Sequence, residues 1–265
     1  MSATTLVRTA AAFARERQLT VDAAGVAFYA FNFLVALAVL VYTALSLVGT
    51  GNFLVVTAEA LTGVETAALR RLFEEVGGDA TGRRRAVALA LAISLWSSFR
   101  LFGAVESVFA EVYRTRQDRS LARRLLDSLL VLLAVTLTVT VMAAAASLFL
   151  FRTEIRAWVV AGPLVVWVAL VVLFFPVYYQ FSGHDASLGE VLPGAAVAAA
   201  GWTLSALALR VYVGVSESVD LYGVVGAVFL VLTWLYVVAL SLLIGVVLNA
   251  TLAGRLDDGS GADVE

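Results

Sequence analysis

The chain has no cysteine and no lysine, a single histidine, three prolines and few charges of either sign. Without cysteine there is no disulfide framework, no thiolate metal site and no cysteine nucleophile in any compartment. His184 stands beside Asp185 between two apolar runs, with no second histidine to complete a ligand set or an acid–base pair, and such a residue is ordinarily solvated. The lack of lysine makes arginine the only cation, 18 of them against 20 acids, for a net charge of -2. Charged residues make up only 14% of the chain while apolar ones make up 62%, and the mean hydropathy is +0.95. Those proportions exclude an ordinary soluble domain. What the sequence has in quantity is long apolar runs, so it reads as an integral membrane protein.

The 265 residues accommodate an all-α, polytopic transmembrane helix bundle of about six spans with short connections, plus an amphipathic helix between the first and second spans. A cytoplasmic N-terminal segment, 1–22, carries Arg8, Arg15 and Arg17. A single transmembrane domain follows over 23–254, and 255–265 is an acidic disordered tail with Asp257, Asp258, Asp263 and Glu265. The first apolar run, Ala23 to Val48, is 26 residues. At about 1.5 Å per residue it covers about 39 Å, more than the about 30 Å hydrocarbon core and too long for a cleavable signal peptide. From Asn52 to Val76, Leu61, Val64, Ala68, Leu72 and Val76 share one helical face, the pattern of a helix lying at an interface. The second span begins after Arg83-Arg84-Arg85 and runs from Ala86 to about Phe109, the third covers Leu125 to Leu150, and the fourth covers Trp158 to Phe181 with a break or kink expected at Pro176. Ser187 and Glu190 match a capping box, which starts a helix near Ser187. The fifth span, Val191 to Val213, opens on Gly194, Ala195, Ala198 and Gly201, small residues suited to close helix contact, and Tyr222 to Thr251 is the sixth.

Arginine placement sets the expected orientation. With the N-terminus inside, the inner segments hold Arg8, Arg15, Arg17, Arg114, Arg116, Arg119, Arg123, Arg124 and Arg255, nine in all, and the outer segments hold seven. The loop 114–124 is short and nearly free of acids, so it weighs more than the Arg83 to Arg85 cluster, which shares a longer segment with five carboxylates. Both termini are expected in the cytosol. The five arginines Arg114, Arg116, Arg119, Arg123 and Arg124 are expected to meet anionic lipid headgroups, with membrane lipids as the partner and no nucleic acid.

One helix carries charge through its middle. On a helical wheel Trp96, Ser97, Arg100, Gly103, Ala104, Ser107, Glu111 and Arg114 fall on one side of the second span, and Leu95, Phe99, Leu101, Phe102, Val105, Val108, Phe109 and Val112 on the other. A charge at membrane depth costs a few kcal/mol, so the stripe is expected to face an interior or a wet cavity. Arg100 then has two readings. It snorkels to the headgroups or pairs with an acid such as Glu106, or it forms a cationic floor for a phosphate or carboxylate, which guanidinium binds bidentately. The candidate cavity and substrate path comprises Arg100, Ser97, Ser107, Glu111, Asn32, Tyr29, Gln180, Tyr222 and Asn249. Polar groups of this kind in hydrocarbon need partners, so most of the uncharged ones are expected to make interhelical hydrogen bonds.

The C-terminal runs Leu221-Tyr222-Gly223-Val224-Val225-Gly226-Ala227, Leu232-Thr233-Trp234-Leu235-Tyr236 and Leu243-Ile244-Gly245-Val246-Val247-Leu248-Asn249 resemble the signature of the YihY/BrkB family of membrane proteins. Ala27-Phe28-Tyr29-Ala30, Leu95-Trp96-Ser97-Ser98, Val112-Tyr113, Pro176, Leu192-Pro193-Gly194-Ala195 and Trp202 agree with it in order, so the resemblance covers nearly the whole chain. The sequence departs from the family pattern at Ala36, where a proline is frequent, and at Val247, where an acid is frequent. The resemblance implies a cytoplasmic-membrane protein of about six spans with cytosolic termini, and a role in moving lipids or other solutes. Family members have also been called virulence-associated proteins and ribonuclease BN. The residues argue against nuclease work, which needs paired carboxylates with metals or a histidine pair beside a basic groove. The expectation is therefore a permease for a lipid or another amphipathic or anionic solute, neither an enzyme nor a cofactor binder. A non-transporting scaffold or envelope-maintenance protein is the alternative.

Overall fold

The computed structural model describes residues 18–47, 80–113, 155–182, 187–215 and 218–254. Each stretch is one long helix: α1 Leu19–Leu47, α2 Ala80–Val112, α3 Ile155–Phe181, α4 Leu188–Val215 and α5 Ser218–Leu252. All five contain a segment long and apolar enough to cross a membrane, from 20 residues in Gly162–Phe181 to 32 in Thr81–Val112. At about 1.5 Å rise these lengths reach from about 30 to about 48 Å, sufficient for the hydrocarbon core with or without tilt. They coincide with the expected first, second, fourth, fifth and sixth spans. The expected third span, the amphipathic helix, the arginine loop 114–124, His184 and the acidic tail lie outside the described residues.

The helix ends follow local chemistry. Gln18 stands in the left-handed region at φ 51 and its carbonyl accepts from the N–H groups of Val21 at 2.7 Å and Asp22 at 3.3 Å, which starts α1 four residues before the apolar run. Asp22 in that first turn complements the positive end of the helix dipole. At α4 the capping box forms as the sequence implies: Ser187 N–H donates to Glu190 Oε2 at 3.4 Å and Glu190 N–H donates to Ser187 Oγ at 3.3 Å. α5 ends on Gly254 at φ 71, whose N–H donates to Thr251 O at 3.1 Å, a left-handed cap that glycine adopts without a Cβ penalty.

Two expectations change. α2 begins at Ala80, so Arg83 to Arg85 lie within the helix and do not flank it. Arginine is a good helix former, and a backbone ladder has no reason to stop where hydrocarbon does. α3 does not break at Pro176 but runs through it and Pro163 to Phe181. Each proline forfeits one N–H, which a membrane helix tolerates when neighbouring groups satisfy the freed carbonyl.

The chain forms two compact units. The first takes the start of α1 to Ala23, α2 from Ala104, all of α3, α4 as far as Leu204 and α5 from Val237. Its core contains Phe109, Tyr178 and Phe181, with ring centroids 5.4 Å apart for Phe109 and Tyr178 and 5.5 Å for Phe109 and Phe181. Around them Val191, Ala195, Ala198, Ala199, Leu243, Val246 and Ala250 are buried. The second unit takes α1 from Ala24, α2 to Gly103, α4 from Ser205 and α5 to Tyr236. Its buried residues are mostly small, among them Ala27, Ala36, Ala90, Ser94 and Ser97.

Candidate functional site

The best-defined polar cluster belongs to the first unit, where α3, α4 and α5 meet. Pro193 has no N–H and Gly194 has no side chain, so this stretch of α4 presents bare backbone. α5 approaches it through Gly245. A Cβ built on Gly194 would stand 2.5 Å from Asn249 Nδ2 and nearer still to Gly245 O, and a Cβ on Gly245 would stand 2.5 Å from Gly194 O. Only glycine fits at either position. One turn beyond Gly245, Asn249 is completely buried and uses both ends of its amide: Oδ1 accepts from Gly194 N–H at 2.6 Å, and Nδ2 donates to Val191 O at 2.9 Å. That pairing also fixes the amide orientation, because a flipped side chain would set donor against donor.

α3 joins the same cluster. Tyr178, fully buried, donates its hydroxyl to Leu242 O at 2.5 Å. Higher along α4, Trp167 Nε1–H donates to Ala196 O at 3.1 Å, and a Cβ on Gly201 would meet the side chain of Ser241. In hydrocarbon an unpaired amide or phenol is costly, whereas a bonded one holds helices together at about 1 kcal/mol. Asn249, one of the expected path residues, is therefore held as a bond between α5 and α4. The amino-acid pattern marked Asn249 and the glycines of α4, but not Tyr178 or Gly245 as their partners. Pairing between helices depends on register and azimuth, which periodicity within one helix does not carry.

The second unit treats its polar residues differently. Ser97 is completely buried and Ser94 nearly so, and neither hydroxyl has a hydrogen-bond partner among the described residues. Next to them Trp96 is half exposed and meets Tyr29 of α1 edge to face, with centroids 5.7 Å apart. Arg100 is exposed, as are Phe99 beside it and Leu95, at 69% and 62%. Asn32 spends its amide on its own helix, Nδ2 donating to Phe28 O at 2.8 Å.

The remaining expected path residues are spread out. In the first unit, Ser107 is exposed and donates to Ala104 O at 2.8 Å, and Glu111 is exposed at the end of α2, where its charge acts on Asp22 of α1. Gln180 is half-buried in α3, and Tyr222 falls within α5. Two stripes drawn on the wheel therefore do not separate inside from outside along all of α2. In its C-terminal part Val105, Val108, Phe109 and Val112 are buried while Ser107 and Glu111 are exposed; in its N-terminal part Ser97 is buried while Leu95 and Phe99 are exposed. Among the described residues no group of three or more His, Asp or Glu side chains is placed to hold a metal ion.

A family model described as Virulence factor BrkB matches residues 11–264. No curated protein and no solved structure matches the chain.

Proposed function

We propose, from the premise that this chain belongs to the Virulence factor BrkB family and is a multi-pass membrane protein, that it moves a lipid or another amphipathic, anionic solute across the cytoplasmic membrane with both termini in the cytosol. The observation that carries the reading is Arg100. It lies in the candidate span Thr81–Val112, twelve residues before its end, hence about 18 Å along the helix from that end at about 1.5 Å per residue. At that place it is exposed, as is the neighbouring Phe99. A guanidinium at that depth needs water, an anion or a headgroup oxygen close by.

Gly103, Ser107 and Glu111 continue the exposed positions of the same helix at offsets of three, seven and eleven residues from Arg100, which is one helical face. A polar face open to the side of a helix suits a molecule with a charged head and apolar tails. The head follows the hydroxyl, glycine and charged positions while the tails stay in lipid, so the apolar part never has to cross water. Arg100 would bind a phosphate or carboxylate oxygen pair, and Glu111 would repel the anion once it reaches that end, favouring release.

The test is purified protein in liposomes carrying labelled anionic phospholipid. Movement above protein-free vesicles is expected, falling by at least about tenfold in Arg100→Ala, as loss of one charge-assisted pair of about 1.5 to 3 kcal/mol requires. Equal movement with and without protein would reject the transport reading for that lipid and favour the scaffold.

A further inference from the structure

α2 starts against its own electrostatics. Arg83, Arg84 and Arg85 follow one another near its beginning, its first turn has no acid, and the first acid along the helix is Glu106. Arg83 is half-buried, Arg84 and Arg85 are exposed, and none of the three guanidinium groups has a hydrogen bond or ion pair among the described residues. Cations near the N-terminal end of a helix oppose its dipole, whereas anions there complement it. Three adjacent fixed charges also repel one another, so the placement is unfavourable for the helix alone.

The length of α2 says where these charges stand. From Arg83 to Glu111 the helix rises about 42 Å at about 1.5 Å per residue, against about 40–45 Å for a bilayer with its headgroup layers. With Glu111 at one surface, the three arginines reach the headgroups of the other. We infer that Arg83, Arg84 and Arg85 form a collar that holds anionic phospholipid headgroups at the N-terminal end of α2. Successive residues point about 100° apart around a helix, so the three side chains fan over about 200° and serve neighbouring lipids. Guanidinium takes a phosphate bidentately, and an anionic lipid keeps the negative charge that a zwitterionic one cancels with its own ammonium. The collar goes beyond the transport reading, because it holds lipid whether or not any is moved. Arg85 stands about 22 Å before Arg100 and within about 60° of it around the helix. Under the transport reading, on which this step alone rests, the collar therefore supplies lipid to one end of the exposed face of α2.

The test reads lipid contact and not lipid movement, so the collar and the transport reading can fail separately. The full chain is reconstituted in phosphatidylcholine vesicles with a trace of spin-labelled phosphatidylglycerol or spin-labelled phosphatidylcholine, and the motionally restricted signal reports which lipid sits against the protein. The preference for phosphatidylglycerol should be at least about threefold greater in the parent than in the variant with Arg83→Gln, Arg84→Gln and Arg85→Gln together. Arg85→Gln alone, at an exposed position, should fall between the two. Lysine at all three positions keeps the charge and should keep the preference. An equal preference in the parent and the triple Gln variant overturns the collar, as does a loss in the triple Lys variant as large as in the Gln one, which would trace the effect to folding. Inorganic phosphate added at constant ionic strength should leave the parent's preference unchanged, and its abolition would assign the arginines to a free anion and overturn the lipid site.

Discussion

The amide of Asn249 and the hydroxyl of Ser97 are both completely enclosed, yet the first is bonded at both ends and the second has no partner among the described residues. The difference separates a polar group that holds two helices together from one that holds none. Around Asn249 every named polar atom ends on backbone: Gly194 N–H, Val191 O, and Leu242 O for the Tyr178 hydroxyl. Such bonds are made once, on folding, and nothing about them asks for a ligand. On α2 the polar positions are mixed: Ser94 and Ser97 have no hydrogen-bond partner among the described residues, Ser98 donates to Ser94 O at 2.7 Å, and Arg100 is exposed.

Substitutions break that comparison at graded cost. The largest effect is expected for Gly194→Val, which drives a branched side chain into Gly245 O and the Asn249 amide. Backbone cannot yield there, so a loss above about 3 kcal/mol is expected, seen as aggregation or absence of a monodisperse peak in detergent. Asn249→Leu keeps the volume but strips both bonds from α4, for about 1–3 kcal/mol in reversible denaturation. Tyr178→Phe removes only the hydroxyl that reaches Leu242 O and should cost about 1 kcal/mol by the same assay. Arg100→Ala, at an exposed position, should stay within about 0.5 kcal/mol of the parent.

Much of this was legible before any coordinates. The apolar runs located all five described helices, and Ser187 with Glu190 located the start of α4 because a capping box is a local device whose partners are three residues apart. The starts of α1 and α2 ran further than expected, because hydropathy marks where lipid is tolerated and not where hydrogen bonding stops. Asn249 was legible as a group needing a partner, but not that the partner is the backbone beside Pro193 and Gly194. That identity depends on how α5 is rotated and shifted against α4. The stripe on α2 was legible as a run of azimuths, but a wheel assigns one environment to each side, and α2 contributes to two units with differently buried faces. Hence Ser97 and Arg100, three residues apart on the expected polar side, end up enclosed and exposed respectively.

The most direct test of the division between holding and handling residues is one paired measurement in the same liposomes. Parent, Tyr178→Phe and Arg100→Ala are compared for unfolding midpoint and for lipid movement per folded molecule. Tyr178→Phe should lower the midpoint and leave movement unchanged, while Arg100→Ala should leave the midpoint unchanged and abolish most of the movement. The opposite pattern, with transport lost in Tyr178→Phe and retained in Arg100→Ala, would contradict the account.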